Sequence, residues 1–300
     1  MRLTKEQLDS VAGMSSRDAA RVLGVGKSTI NDARARLGIK RELPQARTVE
    51  EVERPDGYRL LAFDLETSPN LADVWGLFKQ NIGINQLRES TRVLCFGARW
   101  YGSDEVIFRS EYHDGRENMI AELHRLFDEA DAVMGWNSKG FDHKHVNREF
   151  LEYGMLPPSP TKDLDLMLEV KRTFRFPSNK LDYVAQKLGV GAKVKHSGHE
   201  LWTRCMMGDP EAWEEMKQYQ VQDVNLLIEL LDKLRPWIRG PQIGLYSGDE
   251  VACPNCGSTD LHRRGYAYTT VSAFQRFVCT SCGAWSRGAS RVGTTALRTI

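Results

Sequence analysis

The sequence lacks a run of about 18 apolar residues, the length that a membrane-spanning helix requires, although 41% of its residues are hydrophobic. Its first residues, Met1-Arg2-Leu3-Thr4-Lys5-Glu6, also lack the apolar stretch of a secretory signal peptide. Both absences predict a cytoplasmic protein. In that reducing setting, paired cysteines are expected to be metal ligands rather than disulfides.

The sequence has almost no net charge, +1 over 300 residues, but the charge is unevenly distributed. Residues 1–42 carry nine Lys/Arg against five Asp/Glu, and residues 241–300 carry six against three. The central residues 43–240 are therefore acidic. An acidic centre between basic ends fits a metal-loaded catalytic body flanked by modules that bind a polyanion. Differences of this size also arise by chance in ordinary domains, so the pattern is only supporting evidence.

The hydrophobic pattern divides the chain into four parts. Residues 1–41 are predicted to be all-helical, residues 42–57 to be a charged linker, 58–240 to be an α/β domain and 241–300 a small cysteine-containing module. In the α/β domain, three strands in succession are followed by strand–helix alternation, which predicts a mixed sheet with helices on its faces. The predicted strands are 58–65, 92–100, 104–110, 132–136 and a short one near 163–166, and the predicted helices are 117–129, 142–153, 180–188 and 210–234.

The N-terminal helices resemble a helix-turn-helix. Ala20 allows close helix packing, Gly24 allows a left-handed turn, and Ile30 provides a core contact. The second helix would present five polar or basic residues to a DNA major groove: Lys27, Ser28, Thr29, Asn31 and Arg34. The alternative is a plain helical hairpin used for packing or self-association. A phosphate-binding loop is excluded, because Arg21 stands where that motif requires glycine.

Four carboxylates and one tyrosine are predicted to converge in the α/β domain. Asp64 and Glu66 are alternate residues at the end of an apolar strand, so they share a face. Asp142 opens a helix after a second strand, and Tyr219 and Asp223 lie one helical turn apart. Clustered carboxylates repel one another unless cations neutralise them. Oxygen ligands suit Mg²⁺ or Mn²⁺, and two such ions about 3.5–4 Å apart can support phosphodiester cleavage.

These residues lie in segments that resemble the three motifs of the DEDD, or DnaQ-like, 3′–5′ exonucleases. The segments are Phe63-Asp64-Leu65-Glu66-Thr67, Asn137-Ser138-Lys139-Gly140-Phe141-Asp142 and Tyr219-Gln220-Val221-Gln222-Asp223. Residues 180–185 resemble the helix before the third motif, and the stretch from Trp75 to Cys95 resembles the phage-encoded branch. The resemblance covers roughly residues 58–236. It implies a ribonuclease-H-like fold with five strands.

The resemblance also implies roles for individual residues. Asp64, Glu66, Asp142 and Asp223 would bind two Mg²⁺ or Mn²⁺ ions, and Tyr219 would orient the attacking water. The subtype with tyrosine is expected rather than the one with histidine, because Gln218 occupies the histidine position. Asn137 is expected to contact nucleic acid. The protein would act in the host cytoplasm if it is phage-encoded.

Two Cys-x-x-Cys pairs, Cys253/Cys256 and Cys279/Cys282, are separated by 22 residues, and each is followed by glycine. Four thiolates in two such pairs predict one structural Zn²⁺, and the segment resembles a zinc ribbon. Basic residues mixed with aromatics suit phosphate contact and base stacking. The expected nucleic-acid contacts of the ribbon are Arg263, Arg264 and Arg287.

The sequence therefore predicts a metal-dependent 3′–5′ exonuclease with nucleic acid, preferably DNA, as its partner. Two alternatives remain open. One is a non-catalytic DNA-binding protein that retains a nuclease fold, and the other is an exonuclease that acts on RNA.

Overall fold

The computed structural model describes residues 3–11, 16–37, 57–193 and 197–298 and divides into two compact units, Met1–Pro55 and Asp56–Ile300. The predicted linker at 42–57 lies outside the described residues except for Gly57. None of the described helices is long and apolar enough to cross a membrane.

In the described residues of the N-terminal unit there are three helices: α1 Lys5–Asp9, α2 Ser16–Leu23 and α3 Lys27–Arg36. The sequence predicted only the second and third. The five-residue α1 is stabilised by a capping box, in which Thr4 and Gln7 exchange hydrogen bonds. Ala20 and Ile30 are buried in the core of this unit, and Gly24 turns the chain with a φ of +64°. The helix pair is present as predicted, and its DNA binding stays a prediction.

The larger unit is built on a five-stranded sheet with the order β5-β4-β1-β6-β7. β1 is antiparallel to β4, which is antiparallel to β5, whereas β1, β6 and β7 are parallel. The mixed five-stranded sheet with flanking helices is therefore confirmed. Its strands are β1 Leu60–Thr67, β4 Val93–Trp100, β5 Val106–Ser110, β6 Ala132–Gly135 and β7 Lys162–Asp165.

Both faces of the central strand β1 are covered by helices. Leu60 and Ala62 belong to a core that contains residues of α6, α7 and α9, whereas Leu61 and Phe63 belong to a second core with residues of α4 and α5. Side chains alternate between the faces of a strand, so burial on both sides requires a nearly continuous apolar run. The helices are α4 Arg116–Glu129, α5 Asp142–Glu152, α6 Leu166–Thr173, α7 Leu181–Lys187, α8 His199–Met206 and α9 Pro210–Leu234.

Several elements of this unit were not predicted. α6 and α8 have only eight residues each, too few for their periodicity to stand out, and α6 begins directly after β7. A small hairpin, β2 Leu71–Ala72 with β3 Leu87–Glu89, follows β1. Residues 58 and 59 precede β1, which starts at Leu60.

The C-terminal segment forms a three-stranded antiparallel sheet with the order β10-β9-β8. Its strands are β8 Leu261–Tyr268, β9 Ser272–Cys279 and β10 Trp285–Thr294. The segment is attached to the end of α9, where the Asn255 side-chain amide donates to the carbonyl oxygen of Arg235 at 2.7 Å.

Candidate active site

Asp64 and Glu66 lie on one face of β1 near its carboxyl end, and both are partly exposed. Phe63 and Leu65 alternate with them and are buried in the core formed with α4 and α5. One face of the strand therefore holds it in the protein, while the other presents two carboxylates. This is the arrangement that the alternation in the sequence predicts.

Asp142 is brought to β1 by a close approach of the preceding loop. It is the first residue of α5 and is 3% exposed. A Cβ atom on Gly135, where β6 ends, would lie 3.2 Å from the carbonyl oxygen of Phe63 and 2.8 Å from Cβ of Ser138. Only glycine fits there without a shift of the loop or the strand. The loop thus packs on the residue that precedes Asp64.

A buried aspartate fixes the conformation of this loop. Asp165 is 2% exposed and accepts hydrogen bonds from the backbone amides of Asn137 at 3.1 Å and Lys139 at 3.2 Å. It also caps α6 by accepting from the amide of Leu168 at 3.1 Å. Asn137 adopts a φ of +67°, which is uncommon for a residue with a side chain. Asp165 therefore couples the loop before Asp142 to the start of α6.

Tyr219 and Asp223 reach the site because α9 packs closely on the sheet. Tyr219 is 6% exposed and Asp223 is fully buried. Gly97 of β4 lies directly opposite Asp64, and a Cβ atom there would be 3.0 Å from the side-chain oxygen of Gln220. The absence of a side chain at this position lets α9 lie against β4. The side-chain amide of Gln220 then donates to Asp64 at 3.3 Å.

Lys193 places a positive charge among the carboxylates. Its ammonium group lies 2.9 Å from the hydroxyl oxygen of Tyr219 and forms an ion pair with Asp223. Burial lowers the pKa of Lys193, but Asp223, Asp64 and Glu66 raise it more, so the net shift is upward. Lys193 is therefore a cation that bridges the third motif and the carboxylates of β1.

The carboxylates of the site resist ionisation in the absence of further cations. Burial, followed by repulsion from Asp223, raises the pKa of Asp64 to about 7. Burial and then the charge of Asp64 raise the pKa of Glu66 to about 8 and that of Asp142 to about 8. These shared effects place all four carboxylates in one electrostatic cluster.

The donor set of this cluster fits hard divalent cations. Asp64, Glu66 and Asp223 act on the charge of Lys193, Asp142 lies in the same cluster, and carboxylate oxygens are the ligands that Mg²⁺ and Mn²⁺ prefer. One distance criterion for a metal site is three or more potential ligands whose donor atoms all lie within 4.8 Å of one another. In the described ranges, the four cysteines meet it. No three of the site's carboxylates meet this distance criterion among the described residues, so their role as metal ligands stays a prediction.

Comparison with known proteins identifies the family. A family model described as the RNase H superfamily matches residues 83–235, just over half of the sequence. The chain belongs to the RNase H superfamily. The matched region includes Asp142, Tyr219 and Asp223 and begins after β1. Membership supports a nuclease activity in general, together with nucleic-acid binding and the use of divalent metals.

One solved structure similar to this RNase H-superfamily chain is the family B DNA polymerase from the hyperthermophilic archaeon Pyrobaculum calidifontis. The two align with 19% sequence identity and a TM-score of 0.47, over 72% of this chain and 32% of the polymerase. The chain thus spans about a third of the polymerase's length. A search of curated proteins found no match.

Three polar residues of the site were not predicted from the sequence. Lys193 belongs to a loop, where no periodicity indicates direction. Gln220 adjoins Tyr219 in the third motif, but only the packing on Gly97 shows that it reaches Asp64. Trp202 of α8 donates from its indole nitrogen to Glu66 at 3.2 Å. These contacts join segments far apart in sequence, so local patterns give no signal for them.

The four cysteines of this RNase H-superfamily chain form a compact cluster. Sγ of Cys253 lies 3.7 Å from Sγ of Cys282, and Sγ of Cys256 lies 3.6 Å from Sγ of Cys279. A tetrahedral site with Zn–S bonds of about 2.3 Å has S–S edges of about 3.8 Å, so the cluster fits a closed zinc site. The identity of the metal remains a prediction.

The predicted nucleic-acid contacts have different surroundings. Ser28 and Asn31 are exposed on α3, whereas Thr29 and Arg34 are partly buried, and the Lys27 side chain lies outside the described residues. Arg34 donates to the carbonyl oxygen of Val11 at 3.4 Å, so part of its role is to hold the N-terminal unit together.

The remaining predicted contacts lie in the larger unit. Arg263, Arg264 and Arg287 are exposed on the C-terminal sheet. Asn137 is partly exposed in the loop held by Asp165.

Proposed function

We propose that this chain is a metal-dependent 3′–5′ exonuclease of the tyrosine DEDD subtype and phage type, with DNA as its preferred substrate. The convergence of Asp64, Glu66, Asp142, Tyr219 and Asp223 from three separate elements supports this proposal best. A surface pair of carboxylates would not require close approaches at two glycines, and its pKa values would not be raised by burial together with mutual repulsion.

In this proposal, Asp64, Glu66, Asp142 and Asp223 would hold two Mg²⁺ or Mn²⁺ ions. Bound there, the ions would make a water molecule more acidic and would neutralise charge on the leaving oxygen. The four carboxylates would fix the positions of the ions, because they project from one strand and two helices. The burial of Asp142 and Asp223 limits competition from bulk solvent.

Tyr219 is proposed to orient the attacking water. Burial and the charge of Glu66 raise its pKa, so the phenol stays protonated at neutral pH. Its oxygen accepts a hydrogen bond from Lys193 at 2.9 Å, which fixes its position, and it can accept a second one from the water. Lys193 also lies where its charge can bind the substrate phosphate.

The other modules support nucleic acid as the substrate. The helix-turn-helix residues Ser28 and Asn31 are exposed, as major-groove contacts would be. The zinc ribbon would add a second basic surface. The proposed division is 1–41 for the helix-turn-helix, 42–57 for the linker, 58–240 for the exonuclease domain and 241–300 for the ribbon.

The decisive experiment follows single-stranded DNA and RNA, labelled at either end, in the presence of Mg²⁺ or Mn²⁺. The wild type should release the 3′ label at once as a mononucleotide and shorten the 5′-labelled strand stepwise. Asp64→Asn should reduce cleavage to background, and Tyr219→Phe should slow it by about 10²-fold, because only an orienting group is lost. Asp249→Asn, the same change at an exposed aspartate, should leave the rate unchanged.

Each alternative has its own outcome. Release of the 5′ label first would refute the polarity, and wild-type cleavage by Asp64→Asn would refute the site. Faster cleavage of RNA than of DNA would favour the RNA-directed alternative. Binding without cleavage in either metal would favour the non-catalytic alternative.

A further inference from the structure

The C-terminal sheet carries a concentrated positive charge. Residues 261–298 contain six arginines and no aspartate or glutamate. Among the described residues, no carboxylate lies within ion-pair distance of Arg276, Arg287 or Arg291. A sheet of this composition repels itself unless an anion from outside the segment neutralises it.

Strand pairing sorts these arginines onto two faces. Directly paired residues of an antiparallel sheet share a face, and Arg276 pairs with Arg287 while Phe274 pairs with Arg291. Trp285 lies on the same face, two residues before Arg287. These residues are here named the arginine face: Phe274, Arg276, Trp285, Arg287 and Arg291. The opposite face carries one strand-paired arginine, Arg263, which pairs with Phe277.

The pairing of β9 with β10 places two like charges opposite each other on the arginine face, which does not favour folding. Arg276 and Arg287 are direct cross-strand neighbours, and like charges at a Cβ separation of about 4.5–5.5 Å are destabilising. Each guanidinium instead lies over a ring, Arg276 at 4.9 Å from the centroid of Trp285 and Arg287 at 3.9 Å from that of Phe274. Cation–π contacts thus hold both groups against aromatic rings of the sheet.

This arrangement matches the chemistry of an unpaired nucleic-acid strand. Trp285 is 54% exposed, so a base can stack on its accessible surface, and the neighbouring guanidinium groups can bind successive phosphates. Paired bases in a duplex are already stacked and are not available to the indole. An acidic polypeptide would satisfy the charges but would leave the aromatic surface unused.

We propose that the arginine face binds single-stranded nucleic acid upstream of the end that is cleaved. The inference rests on the proposed function for the identity of that strand as the substrate. Asn255 attaches the ribbon to Arg235, the C-cap of α9, which lies twelve residue steps or about 18 Å beyond Asp223. The ribbon is thus anchored at the end of α9 rather than at the carboxylates, and the arginine face contributes to affinity rather than to the chemical step.

The test measures binding without cleavage. The full chain with Asp64→Asn is used, and no chelator is added, so that bound zinc is retained. The fluorescence anisotropy of a labelled oligothymidylate is measured as the salt concentration is varied. Trp285→Ala should weaken binding at least about fivefold, the loss of one stacked base. Arg287→Ala should weaken it as well and reduce the slope of log K against log salt by about 0.7, the loss of one phosphate contact to a single strand.

Arg298→Ala is the matched control, since it removes the same charge from an exposed arginine that follows β10 and lies outside the arginine face. Its effect should be at most about twofold, consistent with a long-range charge effect alone. Arg287→Lys, which keeps the charge but not the planar stack, should lie between Arg287→Ala and the parent. Equal losses for Arg298→Ala and Arg287→Ala would overturn the assignment of the face.

Two further results would overturn the single-strand assignment: unchanged affinity in Trp285→Ala, or duplex bound as tightly as the single strand. Zinc content and circular dichroism of each variant establish that the ribbon is folded. Because binding is measured in a cleavage-deficient background, absence of nuclease activity would refute the proposed function and leave this result intact. In an active background, Arg287→Ala should raise KM with kcat unchanged.

Discussion

Asp165 provides a graded test of how the loop before Asp142 is held. In Asp165→Asn, the remaining oxygen can still accept from Asn137 and Leu168, but an NH₂ group replaces the oxygen that accepts from Lys139. One hydrogen bond to a charged acceptor is lost, and its cost is about 2 kcal/mol. Asp165→Ala loses all three bonds, one of which is the cap of α6, at about 6 kcal/mol. The two variants should therefore differ by about a factor of three in their loss of stability.

Urea unfolding followed by far-UV circular dichroism gives these free energies from the shift in midpoint at constant m-value. The rate of nuclease cleavage should fall in the same order, since Asp165→Asn releases only the amide of Lys139, whereas Asp165→Ala also releases that of Asn137, and Asp142 follows both in the chain. Asp209→Asn is the control, because Asp209 also caps a helix through one oxygen, is partly exposed, and lies outside the loop. It should cost less stability and leave the rate unchanged. Equal losses in Asp165→Asn and Asp165→Ala, or a normal rate in both, would refute this account.

Two further predictions concern pH and metals. The raised pKa values, about 7 for Asp64 and about 8 for Glu66 and Asp142, mean that the metal-free folded state retains protons that the unfolded chain releases near pH 4. Stability from these groups is lost as the pH rises from about 4 to about 8, so the melting temperature should fall between about pH 5 and pH 8, and Mn²⁺ should restore it most at the higher pH. A metal-free melting temperature that rises over this range, or equal dependence in Asp64→Asn, would contradict the prediction. Cys253→Ser should abolish binding of the single Zn²⁺ and unfold the ribbon. Cys205→Ser, at a buried cysteine outside the cluster, is the control and should keep the metal. An unchanged zinc content in Cys253→Ser would exclude Cys253 as a ligand.

The sequence predicted those parts of the fold that arise from long periodic segments. The helix expected at 210–234 has the observed bounds, because its apolar residues repeat over seven turns. The alternation around Asp64 predicted a strand with two carboxylates on one face. Both cases depend on near neighbours in the chain, whose geometry follows from the helix or strand alone.

The position of Lys193 could not be predicted, because a loop has no period that fixes the direction of a side chain. Its contacts with Tyr219 and Asp223 depend on how that loop crosses α9. The same applies to Trp202, which meets Glu66 only because α8 packs beside β4. Tertiary packing determines such contacts, and no local pattern in the sequence indicates them.

Gly97 has a consequence for how this protein can vary. It is the strand residue across from Asp64, and an added methyl group would press on Val224 as well as on Gln220, each 3.0 Å away. These side chains and the Gln220 carbonyl oxygen, 3.3 Å away, would have to give by a few tenths of an ångström, and any shift of α9 that relieves the contact would carry Asp223 with it. Adding one methyl group at Gly97 could thus separate Asp64 from Asp223 without altering either carboxylate. The separation of Asp64 and Asp223 depends on the absence of a side chain at Gly97. A larger residue there would add packing contacts but would oppose catalysis.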